Sequence, residues 1–155
     1  MPVGQESAEL VRHTPVIAEP GGTADGDLDM MRRQIALAAE IGCDAYKAQW
    51  TSSPERLCER RHAPEYLDAY RKLAWSPEWH EILAMACKDA GLDYLCTTYL
   101  PEDIAVVAPH VWAFKVAAFE NRDDDFLLAH VPYAKPVFIS TGLMNHEDVV
   151  TLGRM

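Results

Sequence analysis

The amino-acid sequence predicts an α/β protein built on a parallel β-sheet. Two observations support this prediction: short runs rich in β-branched and aromatic residues recur along the chain, and stretches with helical periodicity separate them. Parallel neighbours in a sheet need a long return connection, which a helix supplies, and such crossovers are right-handed. We therefore expect about five parallel strands with crossover helices.

The predicted strands are mostly apolar in their N-terminal halves and polar where they end. They are TPVIAEP (14–20), CDAYKAQW (43–50), LDYLCTTY (92–99), VWAFKVAA (111–118) and KPVFISTG (135–142). In parallel β/α proteins the C-terminal ends of the strands face one side, which carries the active site in barrels and open sheets alike. The polar strand ends therefore predict a functional rim.

Helical signals lie between these strands. The stretch 27–42 places Leu28, Met31 and Ile35 on one face and ends at Gly42, as a helix with a C-cap glycine does. Further helices are predicted around 64–73 in the connection 51–75, from a cap at Ser76 to about 88, at 101–110, at 122–130, and from 146 onward. The last stretch reads as the opening turns of a helix that is cut short.

The composition bounds the class of protein. The chain has 155 residues, the length of one domain, and 49% hydrophobic residues, which suffices for a packed core. Its 14 Lys and Arg residues against 24 Asp and Glu residues give a formal net charge of -10, so its field repels polyanions. We expect neither a nucleic-acid nor a membrane partner, and an anionic substrate would need local cations.

Cysteine usage and the chain ends favour a cytoplasmic protein. The four cysteines contain no C-x-x-C pair, which favours reduced thiols: Cys43, Cys58, Cys87 and Cys96. Residues 1–13 lack the apolar core of a signal peptide, and no stretch approaches the ~18 apolar residues of a membrane span.

Two lysines lie inside predicted strands, near their C-terminal ends. Strand alternation places Lys47 on the same face as Ala45 and Gln49, and it places Lys115 between two alanines. The bulky residues of both strands face the other way. Each lysine alone could be a snorkelling or ion-paired side chain. Two lysines in equivalent places favour a functional role, because a buried ammonium group needs a partner or a ligand.

Inward lysines at strand ends have two chemical uses. They stay charged and clamp a phosphate or carboxylate group, or they lose a proton through desolvation and form a Schiff base with a carbonyl substrate. Glu19 ends the first strand and Glu120 follows the fourth, so both carboxylates lie on the same rim. We expect them to hold the lysines charged, which favours the anion clamp.

Five stretches of the chain together resemble one known family. They are VIAEPGGTADGD, GCDAYKAQW, GLDYLCTTY, AFKVAAFE and KPVFISTGL. In order and spacing they resemble the sialic acid synthase family, phosphoenolpyruvate-condensing (β/α)8 barrels that make N-acetylneuraminate and related nonulosonic acids. The resemblance covers residues 14–150. It implies a partial TIM-type barrel, truncated before closure, in which residues 1–155 form the N-terminal portion and the C-terminal barrel half and sugar-capping domain are absent.

The resemblance also implies roles for six residues. Four match positions that grip the phosphate and carboxylate of phosphoenolpyruvate: Lys47, Thr97, Lys115 and Ser140. Glu19 and Glu120 match catalytic glutamates near the acceptor sugar and the reacting centre. A trianionic substrate suits two ammonium groups and hydroxyl donors, and a carboxylate can position sugar hydroxyls or shuttle a proton.

The resemblance implies a divalent metal, manganese or magnesium, that polarises the sugar aldehyde as a Lewis acid. In the family the metal-binding histidine pair belongs to later strands than the five predicted here. The histidines of this chain share no helical face and none ends a strand, so we expect surface or cap roles for them and no metal site: His13, His62, His80, His110, His130 and His146.

Two alternatives stay open beside a synthase that binds phosphoenolpyruvate and an amino-sugar acceptor. One is an aldolase-like lyase that uses Lys47 or Lys115 as a Schiff base. The other is a degenerate, non-catalytic binding or assembly module. Ala118 and the Thr23-Ala24 pair support it, because the family usually has serine and Asn-His there. Five of eight strands cannot close a barrel, so we also expect a homo-oligomer or a complementary barrel half.

Overall fold

Residues 14–154 are described by the computed structural model, and they contain one five-stranded parallel sheet in the order β1-β2-β3-β4-β5. The strands are β1 (Ile17–Ala18), β2 (Ala45–Gln49), β3 (Asp93–Thr97), β4 (Ala113–Val116) and β5 (Val137–Ile139). Every pairing between neighbouring strands is parallel. The predicted class, strand number and strand direction are confirmed.

Helices connect the strands throughout this part of the chain. They are α1 (Leu28–Glu40), α2 (Pro54–Arg61), α3 (Leu67–Arg71), α4 (Trp79–Asp89), α5 (Pro101–Val107), α6 (Asp124–Leu128) and α7 (His146–Leu152), with 3-10 turns at Pro64–Tyr66 and Val131–Tyr133. The helix α1 has 13 residues. No helix in the described range has the length and hydropathy needed to cross a membrane.

The main core lies between the helices and one face of the sheet. Tyr46 of β2 and Phe114 of β4 pack in the same cluster as Met31 and Ile35 of α1. The helices α4, α5 and α6 bury apolar side chains in this cluster as well. The predicted apolar face of α1 is therefore confirmed, and α1 ends where Gly42 adopts a φ of +82°, which glycine tolerates.

The opposite face of the sheet carries small and polar side chains on β2 and β4. Ala45, Leu95 and Ala113 form a small buried cluster there, at the level of the strand starts and middles. Because side chains alternate along a strand, Lys47 and Lys115 follow on this same face, each two residues closer to the C-terminal end than an alanine of the cluster. The predicted orientation of both lysines is confirmed.

The segment α2–α3 covers the C-terminal ends of the central strands. Leu57 of α2 packs with Leu73 and Tyr99, and Tyr70 and Ala117 lie against them. Tyr99 follows β3 and Ala117 follows β4. The loop after β2 therefore reaches over the rim where the polar strand ends lie.

The helix α2 is absent from the sequence prediction, which placed a helix in the connection 51–75 only around 64–73. The sequence does contain a start signal for it. Ser53 accepts a hydrogen bond from the backbone N–H of Arg56 at 3.3 Å, and Pro54 occupies the first helical position.

The predicted start of α4 is wrong by two residues. The sequence predicted a cap at Ser76, but α4 begins at Trp79 and its N-terminus has no side-chain cap. The physical reason is that the Ser76 hydroxyl contacts the carboxylate of Glu78 instead of a backbone N–H.

Two histidines contradict the expectation of surface or cap roles. His80 and His130 are fully buried. His80 lies on the α4 face that also buries Leu83 and Cys87, and its Nδ1 lies 3.0 Å from the hydroxyl of Tyr94. Burial is the main cause that lowers the pKa of His80 to about 3, so the ring is a neutral core residue. Of the others, His62, His110 and His146 are not fully buried, and His13 lies outside the described residues.

Candidate functional site

The residues predicted to form the site lie at the C-terminal ends of the strands. Glu19 follows β1 and Ser140 follows β5; the others are Lys47, Thr97, Lys115 and Glu120, on or just after β2, β3 and β4. Because all neighbouring strands are parallel, these C-terminal ends lie at the same edge of the sheet. We call this side the rim.

A network of polar side chains joins the ends of β1, β2 and β3. The ammonium group of Lys47 forms an ion pair with Glu19. Glu19 Oε1 accepts hydrogen bonds from Gln49 Nε2 and from the backbone N–H of Gly21, each at 3.2 Å. Gln49 Oε1 in turn accepts a hydrogen bond from the hydroxyl of Tyr99 at 2.9 Å. The structure thus brings Glu19 and Lys47 together and fixes the loop after β1.

The two lysines act on one another electrostatically. Burial, and after it the charge of Lys115, lowers the pKa of Lys47 to about 8, although the ammonium group contacts Glu19. Burial also lowers the pKa of Lys115, and the charge of Glu120 opposes that shift. Two ammonium groups that repel each other across a half-buried face would both gain from an anion bound between them.

Lys115 is the less constrained of the two lysines. Its ammonium group donates to the carbonyl oxygen of Val116, and within residues 14–154 no carboxylate lies at ion-pair distance from it. Lys115 therefore keeps donors for a ligand. Lys47 would have to share its charge between a ligand and Glu19.

Thr97 lies between the two lysine-bearing strands. The sheet register pairs it with Gln49 on β2 and with Lys115 on β4, and its side chain is 3% exposed. It shares the inward face with Leu95, because the two are separated by one residue. Thr97 therefore lies beside Lys115 on the inward face.

The loop after β5 is fastened to the turn after β4. The backbone N–H of Ser140 donates to the carbonyl oxygen of Val116 at 3.0 Å. The side chain of Asn121 donates to the carbonyl oxygens of Ser140 and Gly142, at 2.7 and 2.8 Å. A Cβ at Gly142 would lie 3.2 Å from the Cβ of Ala118, so glycine permits this close approach. Ser140 is thus held at the rim through its backbone.

Glu120 is bound by an arginine that the sequence analysis missed. Its two carboxylate oxygens accept hydrogen bonds from Nε and Nη2 of Arg61, both at 2.7 Å, and the two side chains are only 1% and 10% exposed. The sequence analysis expected Glu120 to keep Lys115 charged. Its charge does oppose the burial that lowers the pKa of Lys115, although the carboxylate forms its ion pair with Arg61 and not with Lys115.

Aromatic rings enclose the guanidinium group of Arg61. Its central carbon lies 4.8 Å from the ring centroid of Tyr99, 4.9 Å from that of Phe119 and 5.5 Å from that of Tyr70. Burial alone would lower the pKa of Arg61, but hydrogen bonds to Glu120 and Tyr70 raise it. Arg61 is therefore a fixed cation, and it holds the turn after β4 against α2.

A cavity of about 380 Å³ lies beside this ion pair, and we call it the α2 cavity. It is lined by Arg60, Arg61, Phe119, Glu120 and Asp123. A second ion pair forms part of its wall, because Arg60 Nη2 lies 2.6 Å from Asp123 Oδ2. The guanidinium carbon of Arg60 also lies 5.0 Å from the ring centroid of Phe126. Both arginines of the wall are thus matched by a carboxylate.

A larger cavity of about 750 Å³ lies at the opposite end of the sheet, at the strand starts. Its lining includes Asp93 at the start of β3, Lys88 of α4, and Trp112 just before β4. Size alone would favour it as a ligand site. The inward-facing polar strand residues lie at the rim instead, which is the active-site side of parallel β/α folds, and we therefore place the candidate site there.

The described residues form no cluster of three or more His, Cys, Asp or Glu side chains that could hold a metal ion. The expected manganese or magnesium therefore finds no ligand set within residues 14–154. All four cysteines lie in this range as free thiols.

Comparison with known proteins identifies the family. The family model described as the NeuB family matches residues 34–152, which is most of the chain. The chain belongs to the NeuB family. This confirms the predicted relationship to sialic acid synthases, which rested on five short stretches at the strand ends.

Several relatives within the NeuB family are named synthases. The chain is 25% identical over 147 residues to pseudaminic acid synthase of Campylobacter jejuni, covering 86% of this chain and 43% of that protein. It is also 25% identical over 147 residues to human N-acetylneuraminate-9-phosphate synthase, covering 86% of this chain and 40% of that protein. The chain thus spans less than half the length of these curated relatives.

A solved structure shows the fold of this NeuB-family chain. The crystal structure of N-acetylneuraminic acid (sialic acid) synthetase from Leptospira borgpetersenii, in complex with citrate, matches with a TM-score of 0.79 and 22% sequence identity. The match covers 91% of this chain and 50% of that chain. The predicted partial (β/α) barrel is therefore confirmed.

Proposed function

We propose that this chain supplies the phosphoenolpyruvate-binding part of a nonulosonic acid synthase, which condenses phosphoenolpyruvate with an N-acylated hexosamine and releases phosphate. The observation that supports it most is the pair of inward lysines, Lys47 and Lys115, close enough for the charge of one to lower the pKa of the other. Such a pair suits a small trianion. The NeuB-family membership makes phosphoenolpyruvate the expected anion.

In the proposed reaction the enol carbon of phosphoenolpyruvate attacks the aldehyde carbon of the sugar and a carbon–carbon bond forms. Water then adds to the resulting oxocarbenium carbon, and phosphate leaves. Lys47 and Lys115 would neutralise the phosphate and carboxylate groups, and the hydroxyls of Thr97 and Ser140 would donate hydrogen bonds to them. Lys115 would bind the anion without competition, because within residues 14–154 no carboxylate lies at ion-pair distance from its ammonium group.

The two glutamates would have different roles. Glu120 accepts two hydrogen bonds from Arg61, so it would serve as a fixed acceptor for sugar hydroxyls. Glu19 contacts the ammonium group of Lys47, and it would exchange a proton near the reacting centre. The divalent metal stays an expectation from the family, and when bound it would polarise the aldehyde.

Calorimetric titration with phosphoenolpyruvate tests this proposal. We expect Lys47→Met and Lys115→Met each to weaken binding by at least about tenfold, because each removes a charge-assisted hydrogen bond. Affinity should also fall as pH rises from 7 to 9, because Lys47, with a pKa of about 8, loses its charge in that range. Lys88→Met is the matched control, since Lys88 lies by the strand starts.

Each outcome of this titration has a clear meaning. Unchanged affinity in both rim variants would contradict the proposal, as would an equal loss in Lys88→Met. Binding of phosphoenolpyruvate without any condensation, even after the complementary barrel half is added together with an amino-sugar acceptor and manganese, would support the non-catalytic module in place of the synthase.

A Schiff-base lyase is the second candidate, and the lowered pKa of Lys47 favours it, because a neutral amine is the nucleophile. The amine nitrogen would attack the carbonyl carbon of an α-keto acid and water would leave. Borohydride reduction in the presence of pyruvate would then give a stable adduct on Lys47 by mass spectrometry. An anion clamp gives no adduct.

The names of the relatives leave two acceptor classes open for this chain. One relative makes a product whose name carries a phosphate, and another makes a product whose name carries none. The three carbons of phosphoenolpyruvate become the first three of the product, so a 9-phosphate product corresponds to a 6-phosphate acceptor. The proposed function alone does not choose between them.

A further inference from the structure

The charges around the α2 cavity bear on whether the acceptor is phosphorylated or unphosphorylated. Arg60 pairs with Asp123 and Arg61 pairs with Glu120, so the wall carries two positive and two negative groups. The guanidinium groups are also held against aromatic rings, Arg60 over Phe126 and Arg61 within the cage of Tyr70, Tyr99 and Phe119. Neither arginine can turn to a new anion without losing an ion pair and a ring contact.

The surroundings of the α2 cavity are acidic. Asp124 and Asp125 follow Asp123 directly and are exposed. The nearby Arg122 is itself paired with Asp148 at 2.6 Å. A phosphate group in the cavity would therefore meet matched arginines and nearby carboxylates, which is unfavourable for a dianion.

An uncharged polyhydroxylated ligand fits the same wall. The carboxylates of Glu120 and Asp123 keep lone pairs that can accept sugar hydroxyl groups. The ring of Phe119 is 70% exposed, and it can cover the apolar face of a sugar ring or its N-acyl methyl group. The cavity lies on the same rim as Lys115, because Glu120, which lines it, follows the C-terminal end of β4, the strand that carries Lys115.

We propose that the α2 cavity takes the uncharged part of an N-acylated hexosamine and rejects the phosphorylated form of the same sugar, with Arg60 and Asp123 as the pair that sets this preference. The inference rests on the function proposed above. It names the acceptor class for the same rim.

Ligand-observed NMR on this chain, with N-acetylmannosamine and its 6-phosphate as probes and phosphoenolpyruvate present, tests the inference. We expect N-acetylmannosamine to bind at least about tenfold more tightly than its 6-phosphate. This factor corresponds to the free energy of one charge-assisted hydrogen bond, such as one from a sugar hydroxyl to a carboxylate of the wall. Asp123→Asn should free Arg60 and shift this ratio about tenfold toward the phosphate. Asparagine still caps α6, whose Phe126 N–H donates to Asp123 Oδ1 at 2.9 Å.

Glu102→Gln is the matched control. It removes the carboxylate partner of Arg56, another arginine of α2, whose ion pair lies outside the cavity wall. The control should leave the ratio unchanged, and thermal melting should show all three proteins folded. A wild-type preference for the phosphate would overturn the inference, as would a ratio that Asp123→Asn does not move or that Glu102→Gln moves equally.

The outcomes separate this inference from the proposed function. If neither sugar binds saturably while phosphoenolpyruvate binds through the two lysines, the inference fails and the proposed function stands. If phosphoenolpyruvate does not bind but the neutral sugar does, with the expected response to Asp123→Asn, the proposed function fails and the charge selectivity of the cavity stands.

Discussion

The functional residues at the rim differ in how well the sequence predicts their positions. Lys47 and Lys115 are charges inside apolar strands, so strand alternation predicts which face they take. Arg61 ends a polar helix, where charged side chains are normally solvated. It is buried between Glu120, 59 residues away in the sequence, and the rings of Tyr70, Tyr99 and Phe119. Local periodicity carries no information about such a pairing.

Removing one partner of the Arg61–Glu120 ion pair should lower the free energy of unfolding much more than replacing both partners with apolar side chains. We expect Arg61→Met to lower the free energy of unfolding by about 3 kcal/mol, because it leaves Glu120 buried without its partner. Glu120→Met should have a similar effect, and the double variant should be less destabilised than the sum of both. Urea unfolding of the four proteins gives the coupling energy. Additive losses would show that the two side chains do not depend on each other.

Among the elements, the helices show that a Ser-Pro dipeptide predicts a helix N-terminus in one place and not in another. Ser53-Pro54 and Ser76-Pro77 are the same dipeptide. An apolar helical pattern follows the second, whereas α2, which follows the first, is mostly polar. In the structure the Ser53 side chain caps its helix and the Ser76 side chain does not. Hydrophobic period identifies helices that face a core, and α2 faces the rim.

Removing each serine hydroxyl should therefore have unequal effects. Ser53→Ala should lower the free energy of unfolding by about 1 kcal/mol, since it removes a helix cap. Ser76 caps no backbone N–H, so Ser76→Ala should change the free energy of unfolding by less than about 0.5 kcal/mol. Urea unfolding monitored by circular dichroism measures both values. Equal losses would mean that Ser76 caps α4 in solution after all.

At the scale of the whole molecule, the parallel sheet follows from the sequence because two periods alternate along it. Runs with the period of strands are separated by stretches with the period of helices, and this arrangement allows few topologies. The inward face of the sheet was predictable from its small residues, such as Ala45 and Ala113. The α2 cavity was not, because it depends on a helix and an ion pair that join distant parts of the chain.

The inward face also carries exposed aromatic surface. Phe138 of β5, an edge strand of the described sheet, is 40% exposed, and Trp112 is 45% exposed with its ring centroid 5.9 Å from that of Phe138. Large apolar side chains at a sheet edge favour association with another chain. The oligomer or complementary barrel half expected from the sequence stays a prediction.

Phe138→Ser should weaken that association, because it replaces a large apolar side chain on the edge strand with a small polar one. We expect the chain to sediment as an associated species at micromolar concentration and the variant to shift toward the monomer. Val131→Ser is the matched control, since Val131 is 67% exposed but lies in a 3-10 turn outside the sheet. A monomeric wild-type chain, or an equal shift in both variants, would show that the edge strand does not drive association.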